Sequence, residues 1–230
     1  MENIDDFNQN NNRNLDFEKP KRSLGQKIFC FVKWFLIVVL ALFVLGVIFR
    51  SIQLFRVEKT NKQVEIIHST KITINDVMGI NLPPDPGEEG NKTIEGIDTN
   101  RNGIRDDVEL AIFREYPNSS KTRAALLQYA LVGQMILSQP FVNTSIATEV
   151  IREHGRADNC LADALVPRLT PESFREYKDL EKIEMYENFV DELQFNTQAR
   201  KEKENNFYEL VRSFSDLDDY CDIDYGKLLN

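Results

Sequence analysis

Hydrophobic positions along the chain fall into three regimes. Residues 1–26 are polar, with NQNNNRN at 8–14 and no periodicity. A segment with so little to bury predicts a disordered tail, bounded at residues 1–27. Residues 28–49 read IFCFVKWFLIVVLALFVLGVIF, apolar except for Lys33. At 1.5 Å per residue the run reaches roughly 33 Å, the thickness of bilayer hydrocarbon. It predicts a transmembrane helix over residues 28–50, with the Lys33 stem snorkelling beside an interfacial Trp34. Sixteen uninterrupted apolar residues at 34–49 argue against a soluble core helix. The long n-region and the lack of a small-x-small site after Ile48 argue against a cleaved signal peptide.

The third regime mixes connector and helix. Residues 51–95 read as a connector, with partial alternation at Ile72 and Ile74 that predicts one or two short strands. NLPPDPGEEGN at 81–91 is a Pro/Gly-rich loop. From residue 106 the period is helical. Val108, Ile112 and Tyr116 share one side of a helix over 106–116 that Pro117 limits. A long apolar helix over 119–138 is stopped by Pro140, a shorter one over 144–153 is closed by Gly155, and another follows over 157–166. Thr170, Pro171 and Glu172 predict a helix start. That helix should run to about Phe195 and bury Phe174, Tyr177, Ile183, Phe189, Val190 and Leu193. Thr197 should cap a last helix reaching Phe214, with Phe207, Leu210, Val211 and Phe214 inside. The fold class expected is mainly α: one N-terminal transmembrane helix, then an extracytoplasmic helical bundle over residues 96–230.

Charge adds a direction. Residues 1–50 carry 7 basic and 5 acidic groups, residues 51–230 carry 21 and 32. The flank before the apolar run holds Lys19, Lys21, Arg22, Lys27 and Lys33; the flank after it holds Arg50, Arg56, Lys59 and Lys62. This slight bias favours the N-terminus inside, in a single-pass inner-membrane protein whose acidic domain faces the periplasm. The net charge of -9 excludes nucleic acid as the default partner. With two His, a His-built metal site or triad is hard to assemble. Cys30 lies in the apolar run; Cys160 and Cys221 are expected to pair in an oxidising compartment, closing a loop of about 60 residues and tying the acidic tail to the bundle.

Residues 98–109, DTNRNGIRDDVE, carry the most specific chemistry. Asp98, Asn100, Asn102, Asp106 and Glu109 place oxygen at loop positions 1, 3, 5, 9 and 12; Gly103 is at position 6 and Ile104 offers its carbonyl at position 7. Calcium takes six to eight hard oxygens in a forgiving geometry, and alternate residues of a tightly wound loop can all point inward. The segment resembles the EF-hand loop and the DxDxDG calcium loops of thrombospondin type 3 and dockerin repeats. Residues 82–109 as a whole are similar to a segment of uncharacterised exported bacterial proteins. What the resemblance implies is a calcium ion, not an activity. The incoming segment is not helical in pattern, and Asn at positions 3 and 5 with Arg101 and Arg105 inside the loop weaken its field. Affinity should therefore fall in the ~10⁻⁴–10⁻³ M class of extracellular modules. The metal-free alternative is an Asx-rich turn capping the following helix.

Other groups are weaker. His154 lies near Asp158 and Cys160, and Glu149 and Glu153 could form an acid/base pair, but a helix-end His and a solvated acidic face explain them. The tail acids Asp216, Asp218, Asp219, Asp222 and Asp224 read as a solvated end rather than a second cation site. The expected function is a calcium-stabilised envelope module anchored in the lipid bilayer through residues 28–49 and binding another envelope protein. An envelope hydrolase using paired carboxylates and a calcium-responsive membrane sensor are the alternatives.

Overall fold

A computed structural model of the chain describes residues 23–141, 143–170, 173–215, 217 and 220–228. The predicted tail therefore lies almost wholly outside the described residues. The chain divides into two units, Met1–Phe55 and Arg56–Asn230. Helix α1, Leu24–Ser69, passes through the boundary.

In the first unit, apolar side chains face outward all around α1. Phe31, Trp34, Phe43, Phe49 and Phe55 are each at least 65% exposed, and the neighbouring Leu, Ile and Val residues are exposed as well. A helix apolar on every side needs an apolar solvent. Among the described residues α1 is the helix long and apolar enough to cross a membrane. It corrects the expected boundary, because it continues to Ser69 where a connector was predicted. The strands expected near Ile72 and Ile74 do not form; among the described residues there is no strand at all. Extending an existing helix gains a hydrogen bond per residue without a new nucleus. Ile67, fully buried, then anchors its end.

The second unit is built around one helix. α2 (Ile74–Met78) is capped by Thr73 and ends at Gly79 in the left-handed region, and a 3-10 turn at Gly87–Asn91 is the sole helical element of the Pro/Gly-rich loop. α3 spans Asp106–Glu115 and α4 Ser120–Ser138. α5 spans Thr144–Leu165, α6 Tyr177–Gln194 and α7 Gln198–Leu210. α4 is largely apolar, and every residue in it but Lys121 and Ser138 is buried. It is the axis on which α2, α3, α5, α6 and α7 pack. Gly133 lets α6 end against α4: a Cβ there would press on Gln194 Cγ at 3.2 Å, and Gln194 Nε2 donates to the Ala130 carbonyl at 2.6 Å.

Four expectations change. α5 does not stop at Gly155; Val150, Ala157 and Leu161 bury one continuous face across it, which outweighs a Gly penalty of about 1 kcal/mol. α6 does not start after Thr170, whose amide and carbonyl instead close a turn with Ser173. Glu176 and Asp179 form the capping box of α6, leaving Phe174 98% and Tyr177 76% exposed rather than in the core. Ile183 and Val190 are buried as expected, with Phe189 and Leu193 packed against the core. α7 is capped by Thr197 but ends at Leu210, and Phe214 is 43% exposed. Finally, Asp222 is not a solvated tail acid. Its side chain is fully buried and binds the Arg156 guanidinium at 2.5 Å.

Candidate metal centre

The 98–109 loop is wound around Asp98. The Asn102 amide donates to Asp98 Oδ1 at 3.2 Å and the Gly103 amide to Asp98 Oδ2 at 3.0 Å. Asn100 Oδ1 and Asn102 Oδ1 accept from the Asn102 and Ile104 amides at 3.3 and 2.9 Å. Arg101 and Gly103 take positive φ, 59° and 85°. Gly103 has a second reason to lack a side chain: a Cβ would sit 2.7 Å from Leu131 of α4. Ile104, fully buried, pins the loop to the core.

The exit of the loop is the first turn of α3. No side chain caps that helix; Asp106, Asp107 and Glu109 supply negative charge to its N-terminus instead. The Asp106 carboxylate accepts from the Thr99 amide and hydroxyl at 2.8 and 2.6 Å. Glu109 is 1% exposed and accepts from Asn100 Nδ2 at 3.0 Å. Burial pushes its carboxyl up to about 7, and the charges of Asp76 and Asp106 add to the rise against the opposing Asn100 bond. Burial likewise raises Asp98 despite its backbone donors. Asn102 Nδ2 is buried without a hydrogen-bond partner.

Arginine does not neutralise this charge. Arg105 turns away from the loop: it pairs with Asp107 at 2.6 Å and donates to the Leu193 and Gln194 carbonyls at the end of α6. Arg101 is exposed. Among the described residues no ion pair reaches Asp98, Asp106 or Glu109. The expectation that Arg101 and Arg105 weaken the loop's field therefore fails for Arg105, which serves α6. The donor set suits a hard cation: carboxylates from Asp98, Asp106 and Glu109, amide oxygens from Asn100 and Asn102, and the Ile104 carbonyl. Among the described residues no three His, Cys, Asp or Glu side chains converge as a metal-holding group. Half of this loop's oxygens are amide or backbone, and Asn100 Nδ2 now lies between the Asn81 carbonyl and Glu109.

The remaining candidates resolve clearly. Cys160 and Cys221 are disulfide-bonded, so the His154–Cys160 pair does not exist. Next to the bridge, Asp222 accepts from the Ile72 amide at 3.1 Å, and Gln128 brackets the strap by bonding Tyr220 O and Asp222 N. Glu149 and Glu153 are not an acid/base pair of their own; each binds one ring nitrogen of His68, at 2.9 and 2.6 Å. His154 sits mid-helix in α5, bonded to Asp158 at 3.0 Å. It belongs to an acidic cluster that the sequence reading missed. The signal was present as i,i+4 pairs, His154/Asp158 and Glu187/Asp191, but nothing local says that the two helices face each other.

The chain matches no family model, and neither a curated protein nor a solved structure is detectably similar to it.

Proposed function

We propose that this is a single-pass inner-membrane protein whose helical domain lies outside the cytoplasm, is stabilised by calcium in the 98–109 loop, and binds another envelope protein. The observation that carries the calcium reading is Glu109: a carboxylate 1% exposed, under the charges of Asp106 and Asp76, with an amide where a cation would be expected. Asp98, Asn100, Asn102, Asp106 and Glu109 would hold the ion with the Ile104 carbonyl, and its charge would offset the burial of three acids. Its role is structural, fixing the loop between α2 and α3. A disulfide in the same domain fits an oxidising compartment. Exposed Leu169, Phe174 and Tyr177 support a protein partner.

The test is calorimetric calcium titration of the full chain in detergent micelles, with a D98A/E109A double variant as control. Binding in the ~10⁻⁴–10⁻³ M range, lost in the control, is expected. No heat up to several millimolar, or equal heat in the control, sinks the calcium reading. The rival hydrolase reading would draw on carboxylates that act on His154, such as Glu187 and Asp191. Loss of an envelope-polysaccharide-cleaving activity in E187Q or D191N would favour it.

A further inference from the structure

His68 closes the last turn of α1 against α5 through both of its ring nitrogens. Nδ1 lies 2.6 Å from Glu153 Oε1, and Nε2 lies 2.9 Å from Glu149 Oε2. Glu149 and Glu153 stand one helical turn apart, so the ring spans the step between them. Among the described residues, the ion pairs that join α1 to another element are these two. Neutral side-chain bonds run from Gln63 to Gln139 and from Asn143 to Thr60.

The charge of the ring follows from what faces it. A carboxylate only accepts, whereas a neutral imidazole has one N–H and one lone pair. Two carboxylate contacts therefore require both nitrogens to donate, which only the imidazolium can do. Each carboxylate also accepts from an arginine of α5: Glu149 from Arg152 at 2.9 Å and Glu153 from Arg156 at 2.7 Å. Behind them, Asp222 of the C-terminal strap pairs with Arg156 at 2.5 Å and lies 3.7 Å from Lys71. The His68 side chain is 33% exposed, so its proton exchanges with solvent without opening the fold.

We propose that His68 is a proton-dependent latch: charged, it ties the end of α1 to two turns of α5; neutral, it keeps one carboxylate and releases the other. A neutral ring must turn a lone pair toward one acid. Glu149 is the one released, because its side chain is 20% exposed and can be hydrated, against 4% for Glu153. The imidazolium form gains these partners only on folding, so the stabilisation is present in acid. It is lost as pH rises through the range in which imidazoles lose their proton, roughly pH 5–8. The latch draws on no residue of the 98–109 loop and stands apart from the calcium reading.

The experiment uses the full chain in detergent micelles with calcium chelated. Hydrogen exchange of a peptide covering residues 60–72 is measured at pH 5.5 and 8.5, corrected for intrinsic exchange and referenced to α6. Losing one charge-assisted bond should lower protection at pH 8.5 by about tenfold or more. Nitrogen-15 spectra of the His68 ring, assigned by its absence in H68Q, should show two protonated nitrogens at pH 5.5 and one at pH 8.5. In E149Q the Gln amide can donate to the lone-pair nitrogen, so the neutral ring keeps both bonds. Protection in E149Q should then be equal at the two pH values, which a merely packed His68 would not produce. Equal wild-type protection at both pH values overturns the proposal. So does a His68 ring with one protonated nitrogen at pH 5.5 or two at pH 8.5, or an E149Q that keeps the full wild-type pH dependence. Should E149Q fail to fold, the wild-type ring and its protection decide.

Discussion

Replacing Glu109 by Gln should make the calcium-free protein more stable while abolishing its response to calcium. Gln is the same size and keeps an oxygen for the Asn100 amide, but carries no charge. The Glu109 carboxyl stands at about 7 against 4.5 for a free side chain. At ~1.36 kcal/mol per pH unit, its ionised form costs ~3 kcal/mol at pH 8, reduced to about 2 kcal/mol by relaxation of the polar groups around it. The sign follows from a raised acid: its stabilising contribution is complete below 4.5 and vanishes as pH rises through about 7. Gln keeps the protonated-like state at every pH. In chelator at pH 8, E109Q should therefore unfold roughly 4–8 °C above wild type in a thermal melt followed by circular dichroism. With 10 mM calcium and a Kd of ~0.1–1 mM, wild type should gain about 1.4–2.7 kcal/mol. E109Q should gain nothing, so the order of the two proteins closes or reverses. An E109Q that is less stable than wild type in chelator, or that gains as much from calcium, would refute the reasoning.

Three further perturbations test the scaffold. Arg200 is fully buried and spends its guanidinium on the Gly90, Thr93 and Ile94 carbonyls and on Asn91 and Asn196. R200A leaves those carbonyls unpaired and should lower stability by about 3 kcal/mol or more in urea unfolding, with R200K intermediate; a loss under 1 kcal/mol would contradict it. Cys160 and Cys221 are 61 residues apart, so C160S/C221S should cost about 4 kcal/mol in the chain-entropy account, read as an unfolding midpoint that no longer responds to reductant. G103A must hold φ of +85° and place its Cβ 2.7 Å from Leu131. It should lose about 1–3 kcal/mol and bind calcium more weakly; wild-type affinity in G103A would show that the tight turn is dispensable.

Patterns that depend on neighbours along the chain were legible. The apolar run at 28–49, the largely apolar stretch of α4 and the Thr197 cap are local properties, and they hold in α1, α4 and α7. The Cys160–Cys221 bridge was legible too, since a chain with two cysteines outside the apolar run offers one pairing there. Errors arose where local signals competed with long-range burial. Gly155 looked like a stop until α4 made a continuous face of α5 worth burying, and Thr170 with Pro171 looked like a start until Glu176 and Asp179 capped α6 later.

By itself, then, the sequence determined the membrane-length helix, the helical class, the oxygen spacing of the candidate loop and the acidic balance of residues 51–230. Each follows from residues within a few positions of one another. Only the tertiary structure decided that Arg105 leaves the loop for the end of α6, that Asp222 is a buried clamp between Arg156 and the Ile72 amide, and that Tyr129 of α4 contacts both His154 of α5 and Asp191 of α6. A side chain's partner across the fold depends on which faces pack on α4, and that choice is made by the summed burial of the whole domain rather than by the residue's neighbours in sequence.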